Sequence, residues 1–398
     1  MHEISRREGD GAALHSSVSK VGLVGGVFTA ASLLLGDFVI VRPNRLAPGE
    51  PLSLFAVLSV WQWAACLFGL LMILYCSWRP SRRNVTLATL AVPLVLLLLL
   101  WCQGDAAREL TANGGRFIRV SLGSSLWLAM LGLFVVFTDM IRRCSPGRVA
   151  RAALLVSFLT GLALMIATGR LDDLSLVREF VSRSDRFAAE CVDHLFITGL
   201  SVGCSAALGL PVGVATFKYA QAKASVFSVL NVIQTIPSLA LFGLLIAPLA
   251  WLSGEVALLR GMGVRGIGWA PAVIALTLYA LLPIVRNTYA GFAAIDRGVL
   301  EAGRGMGMGK MQMFLRVELP VAAPIILNGL RVASVQNIGN TAVAALVGAG
   351  GFGVFIFQGL GQSAIDLVLL GAVPTIMLAV VVDFLFQAVI TFATPQEL

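Results

Sequence analysis

The chain has 398 residues, of which 58% are hydrophobic and 13% charged, against roughly 45–50% and about 25% in soluble domains; a water-soluble globule of this size is excluded. The formal charge of +8, from 29 Lys+Arg against 21 Asp+Glu, marks the cytoplasmic loops of a membrane protein rather than a nucleic-acid surface. A membrane helix takes about 20 apolar residues, so the chain has room for about ten spans and a lipid membrane is its main solvent.

Continuous apolar runs predict an all-α, polytopic protein with spans at 21–41, 54–77, 86–103, 120–141 and 150–169, then at 192–217, 226–252, 268–290, 321–347 and 367–392. The first run, Val21 to Val41, is long enough to span and carries no small-residue cleavage site, so it reads as a retained anchor with Asp37 near its outer interface. Basic residues collect on one side: Arg6, Arg7, Lys20, Arg79, Arg82, Arg83, Arg142, Arg143, Arg148 and Arg151, then Lys218, Lys223, Arg286, Arg297, Arg304, Lys310 and Arg316. On the other side, Asp172, Asp173, Glu179, Asp185 and Glu190 offset the basic residues of 170–191. This bias places both termini in the cytoplasm. The six cysteines, Cys66, Cys76, Cys102, Cys144, Cys191 and Cys204, form no CxxC pair and read as small hydrophobes. His2, His15 and His194 are too few for a metal site or a triad, and His194 is expected at a helix start near the interface.

The charged stretch from Arg170 to Glu190 divides the chain into an accessory membrane domain (1–170), an extracytoplasmic connector able to form a short amphipathic helix (171–190) and a second set of five spans (191–398). The second set is richer in Gly, Pro, Asn, Gln and Ser. Such residues are costly in lipid and gather where helices face one another or a watery path, so transport is expected there. Gly199-x-x-x-Gly203 and Gly209-x-x-x-Gly213 allow close helix contact, and Pro211, Pro237, Pro283 and Pro324 can bend their helices. Around Pro237, the residues Gln234, Thr235 and Ser238 could line a path with freed carbonyls, or the proline could be a plain kink.

The loop from Glu301 to Pro320 carries glycines at 303, 305, 307 and 309 beside Met306, Met308, Met311, Met313 and Phe314. Each glycine costs a free helix up to about 1 kcal/mol, yet the loop is too apolar to be plainly solvated. It is either an interfacial helix on anionic lipid or a short helix set in a partner's groove, where glycine permits close approach and methionine adapts its shape. The next span holds Asn328, Arg331, Gln336, Asn337, Asn340 and Thr341, with 336/340 and 337/341 stacked at i,i+4. They would either hydrogen-bond helices together or wall a path for a polar solute. Arg331 and Asp383 each lie roughly 15 Å from the cytoplasmic end of their spans, and an intramembrane ion pair is expected over a proton relay.

Glu301, Ala302, Gly307, Leu319 and Pro320 match the Glu-Ala-Ala, Gly and Leu-Pro positions of the signature loop of ABC (ATP-binding-cassette) importer permeases. Gly303 replaces the second alanine, which should loosen the helix start, and Val317 replaces isoleucine. The segments from Gln234, from Tyr279 and from Asn337 to Gly353 resemble the osmoprotectant branch, which imports glycine betaine, choline, carnitine or related solutes. The likeness covers about residues 190–392, and the first five spans look like the N-terminal extension of some members.

The resemblance implies a type I importer fold in which the coupling loop, with Glu301, Ala302, Gly303, Gly307, Met308, Leu319 and Pro320, docks on a separate cytoplasmic ATPase. It also implies a second permease subunit, identical or related, and an external solute-binding protein near Arg260, Arg265 and 348–366. ATP and Mg would sit on the ATPase. The only Gly-Lys pair, Gly309-Lys310, lacks the rest of a phosphate-binding loop, and Gly348 to Gly353 fits a dinucleotide string only outside its strand–helix setting. That glycine run is expected to be a turn at the outer membrane edge. An amino-acid permease of the same class is the near alternative. A secondary transporter would need more embedded titratable groups, and a membrane enzyme would need clustered His, Asp or Glu.

Overall fold

The computed structural model describes residues 18–394 apart from 45, 46 and 116; the expected N-terminal basic pair Arg6 and Arg7, with His2 and His15, lies outside the described residues. The chain divides into two units between Ser182 and Arg183.

The N-terminal unit begins with α1 (Lys20–Leu35) and continues through β1 (Val39–Arg42), β2 (Glu50–Leu52), α2 (Leu54–Val57), α3 (Val60–Trp78), α4 (Arg82–Gly114), β3 (Arg119–Leu122), α5 (Ser124–Cys144), α6 (Arg148–Ala167) and α7 (Ser175–Ser182). The expected span at 21–41 is therefore helical only to Leu35. Gly36 caps the helix, and the β-branched run Val39-Ile40-Val41 suits a strand. Strand β1 pairs antiparallel with both β2 and β3, in the order β2-β1-β3. Pro51, which has no amide to donate, is tolerated in β2 because that strand is an edge. Helices α1 and α5 meet where Gly25 and Gly132 face each other: a Cβ at Gly25 would come within 2.9 Å of the Gly132 carbonyl. Within the connector, α7 supplies the short helix and Glu179 is buried.

The C-terminal unit runs α8 (Ser184–Lys218), α9 (Ala222–Thr235), α10 (Ser238–Glu255), α11 (Ala257–Gly261), α12 (Trp269–Ala293), α13 (Arg297–Gly305), α14 (Lys310–Met313), a π turn (Phe314–Glu318), α15 (Leu319–Ala344), a 3-10 turn (Ala345–Val347), α16 (Gly353–Gly361) and α17 (Ile365–Ala393). Helix α12 forms the centre, flanked by α8 and α15. Gly209 and Gly213 of α8 lie against Ile284 and Thr288 of α12, where a Cβ at Gly213 would meet Thr288 at 2.5 Å. Gly199 and Gly203 face open space instead, so among the described residues only one of the two small-residue pairs packs within the chain. The expected span at 226–252 is broken: Ile236 is extended (φ −72°, ψ 125°) between α9 and α10, because the ring of Pro237 disfavours helical backbone in the residue before it.

Among the described residues, nine helices are long and apolar enough to cross a membrane, and Lys20–Leu35 is a shorter apolar helix. The protein is a multi-pass membrane protein.

Candidate functional site

The loop from Glu301 to Pro320 folds as a compact hairpin between α12 and α15. Asp296 caps α13, its Oδ1 accepting from the Gly298 amide at 2.6 Å. At the other end, Gly307 has φ +76°, the Gly307 amide donates to the Arg304 carbonyl at 2.9 Å and the Met308 amide to the Gly303 carbonyl at 3.2 Å. These two bonds close a Schellman cap, whose left-handed position favours glycine. Gly303 is buried beneath Met313, and a Cβ there would meet the Met313 Cε at 2.5 Å. It therefore makes room for a methionine, a packing role beyond the expected loosening of the helix start. The π turn precedes Pro320: the Leu319 amide reaches back to the Phe314 carbonyl, a wider winding that fits a proline with no amide to give and a ring that crowds the carbonyl four residues earlier.

Phe314 stacks on Phe292 of α12 with ring centroids 5.7 Å apart and planes 8° apart, and Lys218 lies over the same ring at 5.2 Å. The hairpin is thus fixed to α8 and α12 at its base. Its tip presents Glu301, Ala302, Arg304, Met306, Gly307 and Met311 to solvent, with Met306 70% and Met311 68% exposed. Met308 is half-buried, and Leu319 and Pro320 are exposed at the hairpin's return.

The polar residues expected along a path separate into groups. Asn337 and Thr341 are fully buried. The Asn337 Nδ2 donates to Ser201 Oγ at 3.0 Å and to the Leu276 carbonyl at 3.3 Å, while Thr341 Oγ1 lies 2.9 Å from Thr198 Oγ1 and donates to the Asn337 carbonyl. These two tie α15 to α8 and α12, the helix-to-helix role rather than an open wall. Asn340 and Gln336 are half-buried on the flank of the same helix. At the α9–α10 break, Gln234 Nε2 donates to the Tyr279 carbonyl at 2.7 Å and the Tyr279 hydroxyl donates to the Ile236 carbonyl. The freed carbonyl at the break is therefore satisfied by a side chain. Thr235 and Pro237 are exposed there, Thr235 bonding back to Val232, and Ser238 is half-buried.

Arg331 of α15 and Asp383 of α17 form a two-pronged pair, Nε to Oδ1 at 2.5 Å and Nη2 to Oδ2 at 2.8 Å. The fork of the guanidinium matches the carboxylate, the geometry that best offsets two charges in a span.

The run Gly348 to Gly353 is a turn in which Gly348, Gly350 and Gly351 all have positive φ. The Gly351 amide donates to Glu190 Oε2 at 2.8 Å and the Phe352 amide to His194 Nδ1 at 3.3 Å. His194 is buried within α8 rather than at a helix start. Sequence reasoning missed Ser201, Thr198, Tyr279 and Glu190 as partners. Only the hydroxyl-rich face of α8 gave any signal for the first two.

Comparison with known proteins follows the division of the chain. Residues 19–177 match the family described as ABC transporter permease YehY, N-terminal domain, and residues 205–391 match the binding-protein-dependent transport system inner membrane component. The osmoprotectant import permease protein OsmW of Salmonella typhimurium is 38% identical over 223 residues, covering 56% of this chain and 99% of that protein. The carnitine transport permease protein OpuCB of Listeria monocytogenes is 35% identical over 224 residues, covering 56% and 95%. The glycine betaine/carnitine/choline transport system permease protein OpuCD of Bacillus subtilis is 40% identical over 191 residues, covering 48% and 76%. Among solved structures, an inward-facing conformation of the MetNI methionine ABC transporter aligns with 53% of this chain and 97% of its own, at 24% identity and a TM-score of 0.45.

Proposed function

This chain belongs to the inner-membrane permeases of binding-protein-dependent ABC importers, in their osmoprotectant branch, and from that premise we propose that it carries glycine betaine or a related quaternary amine into a bacterial cell across the inner membrane. The family works with ATPase and solute-binding partners. In this reading ATP and Mg are held by a separate ATPase that receives the hairpin tip at Glu301, Ala302, Gly307 and Met308, with Gly303 seating Met313 beneath the tip, and the chain itself catalyses no reaction. The observation that carries the docking role is the hairpin's construction: a rigid base stacked on Phe292 and an exposed, methionine-bearing tip.

The hairpin lies on the cytoplasmic side, both termini are cytoplasmic, and the glycine turn at 348–353 lies on the outer side, where a solute-binding protein delivers the solute. A second permease subunit, identical or related, completes the path. Asn340, Gln336, Thr235, Pro237 and Ser238 face that path, whereas Asn337 and Thr341 hold its helices in register. Because Phe314 stacks on α12 and the π turn leads directly into α15, closure of the ATPases moves those two helices with the hairpin and alternates access. The break at Ile236–Pro237, clasped by Tyr279 and Gln234, is the point at which α9 and α10 can change angle. Arg331 and Asp383 act structurally by neutralising each other.

Uptake of labelled glycine betaine under salt stress tests this reading in cells stripped of other osmoprotectant importers. Expression of the permease with its ATPase and binding protein restores uptake, and excess choline or carnitine competes. Restored uptake of an amino acid in place of betaine would leave the architecture standing and overturn the substrate.

A further inference from the structure

The N-terminal unit contains a cavity of about 330 Å3 between α4, α5 and α6. Its wall is apolar, with Pro93, Met130, Phe134, Phe137 and Ile141 among the lining residues, and Arg151 is its one charged group. Along α5 the wall runs from Ile141 to Met130, about 16 Å at 1.5 Å per residue. That depth is about half of a roughly 30 Å hydrocarbon core, the reach of one leaflet.

The mouth is basic. Thr86 Oγ1 lies 3.7 Å from Cys144 Sγ, which brings the first turn of α4 to the last turn of α5. Arg82, Arg83 and Arg142 are exposed at this end, and none has an ion-pair partner among the described residues. The neighbouring acid, Asp139, is already engaged by Arg143 at 2.9 Å and by the Ser19 hydroxyl at 2.5 Å. Arg151 donates its Nε to the Pro146 carbonyl at 2.9 Å, which leaves its two Nη groups for a ligand.

We propose that this unit holds one anionic phospholipid, with an acyl chain in the cavity and its phosphate against Arg151, Arg142 and the Arg82–Arg83 pair. The slot is one leaflet deep and its apolar wall disfavours water-soluble ligands, and the cations at its mouth have no counter-ion among the described residues. An anionic headgroup meets all these conditions. A zwitterionic headgroup would bring its own ammonium to the same cations.

Native mass spectrometry of the full-length permease in mixed micelles tests the assignment, with phosphatidylglycerol and phosphatidylcholine of the same acyl chains as probes. The wild type should retain one phosphatidylglycerol at least about tenfold more tightly than phosphatidylcholine, and Arg151→Gln should lose about fivefold of that preference. Arg151 is exposed, so this variant keeps its fold. Leu154→Trp, which fills the cavity, should reduce retention of both lipids while Arg151→Gln spares phosphatidylcholine. Equal retention of the two lipids by the wild type, or an Arg151→Gln variant with undiminished preference, would overturn the proposal.

Discussion

Replacement of Gly307 isolates what its backbone conformation contributes to the proposed ATPase docking. The residue sits at φ +76° in the Schellman cap of α13, and a Cβ there would meet nothing within 4 Å. Any loss on substitution by alanine is therefore conformational and not a clash within the chain. The left-handed position costs an L-residue about 1–2 kcal/mol, and tenfold in a binding constant is about 1.4 kcal/mol. An alanine hairpin that relaxes out of the cap when free must regain it to dock, so Gly307→Ala should weaken ATPase binding by up to about 30-fold. Asparagine tolerates the same backbone through local hydrogen bonding, so Gly307→Asn should retain most of the affinity, and Gly307→Val should fall below alanine. Titration of the cognate ATPase onto permease in lipid nanodiscs measures all four. Undiminished binding by Gly307→Ala would refute the capping argument, and equal losses for asparagine and alanine would assign the effect to side-chain bulk at the interface.

Three further outcomes follow from the geometry. Neutralising Arg331 or Asp383 singly should lower the yield of folded permease, and the double variant Arg331→Gln/Asp383→Asn should recover much of it, as read by size-exclusion chromatography of a fluorescent fusion; a double variant no better than either single one contradicts the pairing. Tyr279→Phe removes the hydroxyl that satisfies the Ile236 carbonyl at the α9–α10 break and should cost about 1 kcal/mol, seen as a lower melting temperature of the purified protein. Gly353→Ala would set a Cβ on the Ala342 carbonyl, whereas Gly361→Ala enters open space; only the former should abolish folded protein.

The apolar runs were legible because a membrane span is long and locally encoded, and the loop at 301–320 was legible because its glycine and methionine content fits no simple helix. The strand β1 was not, since Val39-Ile40-Val41 continues an apolar run and only its pairing partners, at 50–52 and 119–122, distinguish it from the end of a span. The break before Pro237 was visible as a proline but not as two separate helices, because proline alone does not decide between a kink and a break; Tyr279, 43 positions away, satisfies the carbonyl that the break exposes. In the sequence Asn337 and Thr341 favour the wall of a path over packing, since i,i+4 spacing gives a face but not what lies opposite. Their partners, Ser201 and Thr198, come from α8. Glu190 and His194 reach the glycine turn across about 160 residues of chain, a contact with no local signal at either end.

ATP hydrolysis by the ATPase subunit reconstituted with this permease in lipid vesicles, with and without binding protein loaded with glycine betaine, decides whether the permease couples delivery of the solute to the ATPase. The loaded binding protein should stimulate hydrolysis, and Gly307→Val should suppress the stimulation. An ATPase that neither associates with the wild-type permease nor responds to the loaded binding protein would contradict this coupling.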